Sequence, residues 1–294
     1  MSESLDPKAT RESRIRPLVE TDRARLVEFL QREPEDNVYL LSRLAMDGVV
    51  NEDSVAHGRF YGNLDAGGRE GVVFFGHRKG VVLAGDDPEF ARDAAGLALG
   101  RESDWIILVG PRNAADAFLS HYRWRGRRVH LNRVQDFYVL RPESVSDTQV
   151  EIRRAELADL EDVVDMSEQM LIEDFDLADG SLSREGIRES MRLKIREGRT
   201  WVAEDRDGVV FKADVSAQFA GGAQIEGVFT QPQLRGRGWA SGGVAALSAE
   251  LVKSSAFVTL HVDRQNTAAR RAYERAGFEA FSEFRLVLLA VSPR

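Results

Sequence analysis

The 294-residue sequence contains no cysteine. That excludes disulfides, thiolate nucleophiles and cysteine-ligated zinc or iron–sulfur centres. Long hydrophobic runs are also missing. Stretches such as Trp105-Ile106-Ile107-Leu108-Val109 are strand-sized, far short of the ~20 residues that span a bilayer. The opening Met1-Ser2-Glu3-Ser4-Leu5-Asp6 has neither the basic nor the apolar segment of a secretory leader. A cytoplasmic location with no membrane partner is therefore expected. Nor is there an excess of base. Forty Lys and Arg face 48 Asp and Glu, giving net charge −8 and a pI near 5.3, the reverse of a nucleic-acid binder. Arg123, Arg125, Arg127, Arg128 and Arg133 make one local basic cluster, which reads as a solvated hairpin. His57, His77, His121, His130 and His261 show no metal-ligand spacing, so no metal is expected. What is there is ordinary for a globular chain: 43% hydrophobic and 30% charged residues, enough for one large domain or two of average size.

One unit occurs twice. Ile15-Arg16-Pro17-Leu18, Asp22 and the apolar positions Leu26, Phe29 and Leu30 read as strand, acidic turn and amphipathic helix. Ile152-Arg153-Arg154-Ala155, Asp159, Leu160, Val163 and Val164 read the same way. The ends of the halves also match. Leu108-Val109-Gly110-Pro111-Arg112-Asn113 and Leu260-His261-Val262-Asp263-Arg264-Gln265-Asn266 are each an apolar strand leading to Asn and an Ala-rich helix. The polar, Pro-initiated segment 141–149 reads as a linker between domains 1–140 and 150–294. In the second half, helices are expected over 156–177, 183–197, 238–253 and 267–276. Strands are expected over 201–204, 209–215, 224–230, 257–262 and about 284–291. This is a mixed α/β pattern.

The most specific segment is Glu226-Gly227-Val228-Phe229-Thr230-Gln231-Pro232-Gln233-Leu234-Arg235-Gly236-Arg237-Gly238-Trp239-Ala240-Ser241. A strand runs into a Gly-rich turn that opens a helix, an arrangement that collects backbone N–H groups around a phosphate. The Gly-Lys-Ser/Thr of a P-loop is absent. A dinucleotide-binding turn would want a third glycine, where Ser241 stands, and an acid about 20 residues on, where 254–258 hold none.

Gln233-Leu234-Arg235-Gly236-Arg237-Gly238 resembles the Gln/Arg-x-x-Gly-x-Gly/Ala signature of the GNAT superfamily of acetyl-CoA-dependent N-acetyltransferases. Asn266-Thr267-Ala268-Ala269-Arg270-Arg271-Ala272-Tyr273-Glu274-Arg275-Ala276-Gly277-Phe278 resembles the same family's Asn…Ala…Tyr-Glu-x-x-Gly-Phe motif. The resemblance covers about residues 150–290. It implies two tandem domains, each a mixed, mostly antiparallel twisted sheet flanked by helices. It further implies acetyl transfer from acetyl-CoA to a primary amine, small molecule or peptide, by direct attack in a ternary complex. Amides from Leu234 to Ala240, with Arg235 and Arg237, would take the CoA pyrophosphate, flanked by Gln233 and Ser241. Val228, Phe229 and Thr230 would face the pantetheine arm, with Asn266 and Ala269 opposite. Tyr273 would protonate the departing thiolate. Glu226 is the candidate base. Glu173, Asp174 and Lys212 are candidates for acceptor contact, although Lys212 reads first as the structural ion-pair partner of Asp214.

From Ala155 to Ser183 there are ten carboxylates and no Lys or Arg. This is a solvated helix face, or a negative rim that favours a cationic acceptor. The first half reads as a degenerate copy without a cofactor site. Gly85-Asp86-Asp87-Pro88-Glu89 stands in place of the Gly-rich turn, and Ser120 stands where the repeat would put the tyrosine. Two other readings stay open: a mycothiol-synthase-type tandem acetyltransferase, and a non-catalytic acetyl-CoA sensor. A homodimer is compatible with all of them.

Overall fold

The computed structural model describes residues 15–50, 58–65, 69–76, 79–100, 105–122 and 127–290. His57, His77, Arg123 and Arg125 lie outside the described residues. The first half runs β1 (Arg16–Pro17), α1 (Arg23–Leu30), α2 (Val38–Asp47), β2 (Arg59–Asn63), β3 (Gly71–Gly76), β4 (Gly80–Ala84), α3 (Pro88–Gly100), β5 (Ile107–Pro111), α4 (Arg112–His121) and β6 (Val129–Leu140). The second half repeats that order. It runs β7 (Arg153–Arg154), α5 (Leu160–Phe175), α6 (Arg184–Arg196), β8 (Thr200–Asp205), β9 (Gly208–Gln218), β10 (Gly222–Thr230), α7 (Trp239–Leu251), β11 (Phe257–Asp263), α8 (Thr267–Ala276) and β12 (Glu279–Leu289). In each half the strands run antiparallel up to a parallel pair, β4 with β5 and β10 with β11.

The repeat extends to single hydrogen bonds. Arg16 donates both guanidinium nitrogens to Asp22, at 2.7 and 2.6 Å, and the Val19 amide donates to the same carboxylate at 3.0 Å. In the second half Arg153 grips Asp159 at 2.7 and 2.8 Å, with the Glu156 amide at 2.7 Å. Two hydrogen bonds from one fork to one carboxylate fix the angle at which each strand enters its helix. The pairing also explains why the acid sits six residues after the arginine in both copies.

All twelve strands form one sheet, in the order β1-β2-β3-β4-β5-β12-β6-β11-β10-β9-β8-β7. The last strand of each half lies in the other half's run. β12 pairs antiparallel with β5 and β6, and β6 pairs antiparallel with β11. The cores follow the exchange. Val287 and Leu289 of β12 are buried beneath α3 and α4 of the first half, while Tyr138 and Leu140 of β6 are buried with the second-half core. On the opposite sheet face, α1 and α2 cover the first half, and α5 and α6 cover the second. The linker is packed rather than free. The Ser146 amide donates to the Ala276 carbonyl at 3.3 Å, and Val145 and Val150 pack on the second-half core.

Of the described residues of the basic cluster, Arg127 and Arg128 precede the central strand β6 and Arg133 lies on it. Arg133 is a β6 residue paired with Asp263 at 3.0 Å, not part of a solvated hairpin. The expected helix over 156–177 begins later, at Leu160, after a 3₁₀ turn over Leu157–Asp159. Among the described residues, no helix is long and apolar enough to cross a membrane.

Candidate active site

The site begins where β10 leaves β11. Their parallel pairing covers only Gly222–Ile225 against Phe257–Leu260. Beyond it, β10 bulges. Glu226 faces Asp214 of β9 and Phe229 faces Lys212, so two residues of β10, Gly227 and Val228, stand opposite one of β9, Ala213. Gly227 makes this possible. Its φ is +60°, and a Cβ there would fall 2.7 Å from Asp214 Oδ2 and 3.2 Å from Lys212 Nζ. The two strands part, and a gap opens through the sheet.

The chain then turns through Pro232–Leu234 and reaches α7 by way of Gly236 and Gly238, both left-handed at φ +76° and +90°. A Cβ at either glycine would meet nothing within 4 Å, so the turn faces open space. No side chain caps α7, and its first amides, at Trp239, Ala240 and Ser241, have no acceptor among the described residues. Unsatisfied N–H groups and the helix dipole suit such an end to an anion. The equivalent helix α3 is closed differently. Its own Asp87 accepts from the Glu89 and Phe90 amides at 2.8 and 3.0 Å. Leu83 also packs onto Gly110 of the neighbouring strand, where a Cβ would lie 2.8 Å from the leucine.

A cavity of about 430 Å³ runs from the Gly-rich turn along α8 and through the gap to α5. Val228, Phe229, Thr230, Leu234, Arg235, Gly236, Gly238, Trp239, Ala240, Ser241, Asn266 and Ala269 line it, as do Tyr273, Glu173 and Asp174. Gln233 and Arg237 belong to the same turn but stand outside the lining. Among the described residues, Thr230 Oγ1 is buried without a hydrogen-bond partner, which suits it to a polar ligand atom. Asn266 caps α8, its side chain accepting from the Ala269 amide at 3.0 Å. Arg235 lies across the cavity. It stacks over Phe229 at 5.0 Å, donates to the Thr230 carbonyl at 3.2 Å and pairs with Glu173 at 2.7 Å.

Tyr273 and Asp174 reach this cavity from opposite faces of the sheet. Tyr273, on α8, is 8% exposed, and its hydroxyl has no partner among the described residues. Burial first, and the nearby Asp174 charge second, push its pKa well above the usual tyrosine value. The phenol therefore stays protonated and able to donate. Asp174, near the end of α5, is exposed at the cavity and forms no ion pair among the described residues. Enclosure by the protein raises its carboxyl, as do Glu173 and Asp263, while Arg133 and Arg235 pull the other way.

Glu226 and Lys212 are placed elsewhere. Because of the bulge, Glu226 does not line the cavity. Its carboxylate takes Lys194 Nζ at 2.8 Å, and that ammonium also pairs with Asp214 at 2.9 Å. Lys212 is wholly buried and 3.2 Å from Asp214, which accepts from Thr200 Oγ1 at 2.8 Å. Burial would raise Asp214, but Lys212 and Lys194 override it and hold it at about 2. Lys212 itself is lowered, chiefly by burial. Lys212 thus sits inside an ion-pair cluster and off the cavity. The acidic face of α5 is also largely answered. Arg184 pairs with Glu161, Asp165 and Glu168, and Arg188 with Glu161. Among the described residues, Asp174 is left as the unpaired acid of the cavity lining. The lining also includes Met170, Ala268, Arg271, Ala272 and Arg275. The three- and four-residue spacing on α8 was the available signal for the last four. Among the described residues, no group of three or more His, Asp or Glu could hold a metal ion.

Residues 216–287 match the family model described as FR47-like protein. No curated protein matches the sequence. Among solved structures, a Drosophila protein is similar at 16% identity over 94% of this chain and 98% of that one, with a TM-score of 0.64. A GNAT-family acetyltransferase from Colwellia psychrerythraea is similar at 11% identity over 94% and 99%, with a TM-score of 0.52. A tandem GNAT protein from the clavulanic acid biosynthesis pathway is similar at 12% identity over 95% and 98%, also with a TM-score of 0.52. The doubled element order agrees with these likenesses, and the fold of this chain is similar to that of the tandem GNAT protein.

Proposed function

We propose that the second half binds acetyl-CoA and transfers its acetyl group to an amine. The observation that carries this is the uncapped start of α7, with its two left-handed glycines, opening onto the same cavity as the unpartnered Tyr273 hydroxyl. The fit is chemical as well as spatial. Neutral amide donors suit a pyrophosphate, and the orphaned Thr230 Oγ1 suits an amide of the pantetheine arm. The parted strands leave β10 backbone groups free for the rest of that arm. In the first half, Asp87 fills the helix end that an anion would need and Leu83 closes the strand pair, so one acetyl-CoA per chain is expected.

A cationic acceptor gives up one proton to become a free amine and a second as its nitrogen is acylated; one proton reaches the departing sulfur and the other passes to solvent. The nitrogen–carbon bond forms as the carbon–sulfur bond breaks. Tyr273 supplies the sulfur's proton, its raised pKa keeping the proton available until a thiolate develops. Asp174 faces it across the cavity and replaces Glu226, which Lys194 holds outside. An acid and a base whose surroundings set different protonation states are what proton transfer in two directions needs. The acceptor is a cationic amine drawn by Asp174.

Calorimetry with acetyl-CoA should give one site per chain. Gly236→Asp puts a carboxylate beside the free amides and an L-residue at φ +76°. It should abolish detectable binding while leaving Tm within about 4 °C of wild type. Two sites per chain, or a variant that binds like wild type, would overturn the assignment.

Asp174→Asn should lower kcat/KM by about 100-fold or more with an amine that releases CoA thiol in the wild type, while acetyl-CoA still binds. The groups facing Asp174 are Glu173, Asp263, Arg133, Arg235 and Tyr273. A base must be ionised. Activity should therefore fall as pH drops through the raised carboxyl pKa, above the range of an ordinary aspartate, and the asparagine variant should lose that limb. Glu226→Gln should retain activity. The opposite ranking of the two variants would return the role to Glu226.

A further inference from the structure

We infer that the first half supplies positioning residues for the second half's site: Arg133 and His130, carried on β6, hold the end of α5 by its free carbonyls and so fix Asp174 at the cavity. This rests on the reading of Asp174 as the base and adds to it the residues that set its place.

α5 is sixteen residues long, twice the length of its counterpart α1. The roughly two added turns carry Met170, Glu173 and Asp174, all of which line the cavity. Such an extension ends in carbonyls with no partner inside the helix. The Ile172 carbonyl takes the amides of Asp176 and Leu177, where the chain turns left-handed at Asp176, φ +49°. The Asp174 and Phe175 carbonyls are served from β6. Arg133 Nη1 donates to the Asp174 carbonyl at 2.9 Å, and His130 Nε2 lies 2.8 Å from the Phe175 carbonyl. A carbonyl only accepts, so Nε2 carries the hydrogen there. The Arg133 guanidinium also covers the Phe175 ring at 5.7 Å and is anchored by Asp263 of β11 at 3.0 Å. A cation at a helix C-terminus is favourable in its own right. Two consecutive carbonyls gripped by two side chains of one strand leave the last turn of α5 little freedom to rotate, and Asp174 lies in that turn.

Arg133 also acts through charge. Enclosure by the protein raises the Asp174 carboxyl most. Glu173 on α5 and Asp263 on β11 add to the rise, Arg133 on β6 and Arg235 in the Gly-rich turn oppose it, and the neutral Tyr273 phenol on α8 faces it. Removing Arg133 therefore raises the carboxyl further and leaves less of it ionised at a given pH.

The experiment is a carbon-13 NMR titration of the full chain labelled at its aspartate side chains, with the Asp174 signal assigned by its loss in Asp174→Asn. Arg133→Met should move the Asp174 midpoint about 0.5 to 1 pH higher. Arg133→Lys keeps a cation and a donor, and should leave the midpoint within about 0.2 of wild type. Hydrogen exchange of the Asp176 and Leu177 amides should quicken about fivefold or more in Arg133→Met and in His130→Ala. His130 is exposed, so His130→Ala keeps the exchange test available whatever Arg133→Met does to folding. An unmoved midpoint in Arg133→Met, or unchanged exchange in His130→Ala, would overturn the inference. The acid limb of kcat/KM, followed with the amine used for Asp174→Asn, separates the clamp from the reading it rests on. A limb that moves with the carboxyl supports both. A carboxyl that moves under a fixed limb removes Asp174 as the base and leaves the clamp standing.

Discussion

A chain trimmed to residues 148–294 should fail to form a stable domain, despite containing the whole Gly-rich turn, α8 and Tyr273. The trimmed piece lacks β6, which lies between β11 and β12. Phe137, Tyr138, Val139 and Leu140 of that strand are each at most 4% exposed. At ~1.5–3 kcal/mol for each buried side chain, their loss amounts to roughly 6–12 kcal/mol, comparable with the whole stability of a typical domain at ~5–15 kcal/mol. Tyr138 also donates its hydroxyl to Glu274 at 2.9 Å, tying β6 to α8. Without β6, the facing edges of β11 and β12 are left unpaired, a template for aggregation. Soluble yield and thermal unfolding of the fragment measure this. A fragment over 127–294, which restores β6, should recover part of the cooperative transition. A soluble, cooperatively folding 148–294 piece with full acetyl-CoA binding would show that the exchanged strand is dispensable.

Tyr273→Phe should lower kcat by about 100- to 1,000-fold and change acetyl-CoA affinity by less than about threefold. A hydroxyl that protonates a thiolate acts only as charge develops on sulfur, so its removal is felt in the transition state rather than in binding. The structure separates this role from packing. The ring touches Phe278 at 6.4 Å between centroids, and phenylalanine keeps that contact. The hydroxyl holds no partner among the described residues, so its deletion orphans nothing, and Tm should stay unchanged or rise slightly. Parallel measurements of kcat, acetyl-CoA Kd and Tm check the split. A variant with unaltered kcat in a reaction limited by chemistry would make Tyr273 a core aromatic and nothing more.

Much of this was written in local sequence, because local forces produce it. The α8 boundaries follow from Asn266 as cap and Gly277 as stop, and the helix forms over Thr267–Ala276. The doubled Arg16–Asp22 and Arg153–Asp159 grips follow from a six-residue spacing that short-range hydrogen bonds can read. The cavity lining around 228–241 follows from glycine placement. The misplacements have long-range or register causes. Glu226 stands two residues before Val228, which in a regular strand puts both side chains on one face. The extra residue at Gly227 breaks that alternation and turns Glu226 toward Lys194. The acidic face of α5 looked unanswered because its partners, Arg184 and Arg188, come from the next helix. β6 was hidden by its own polar beginning, and no periodicity reveals which half's sheet a strand will join.

The exchange of β6 and β12 also dictates an order of assembly. β5 and β6 are joined through α4, yet they must not pair with each other, because β12 lies between them. Neighbouring strands sit ~4.8 Å apart, so the first half has to hold a slot one strand wide until a segment far along the chain arrives to fill it. If β5 closed directly on β6, β12 would be shut out of its place between them. Avoiding that trap depends on contacts between distant segments, whose loop-closure cost makes them slow to form.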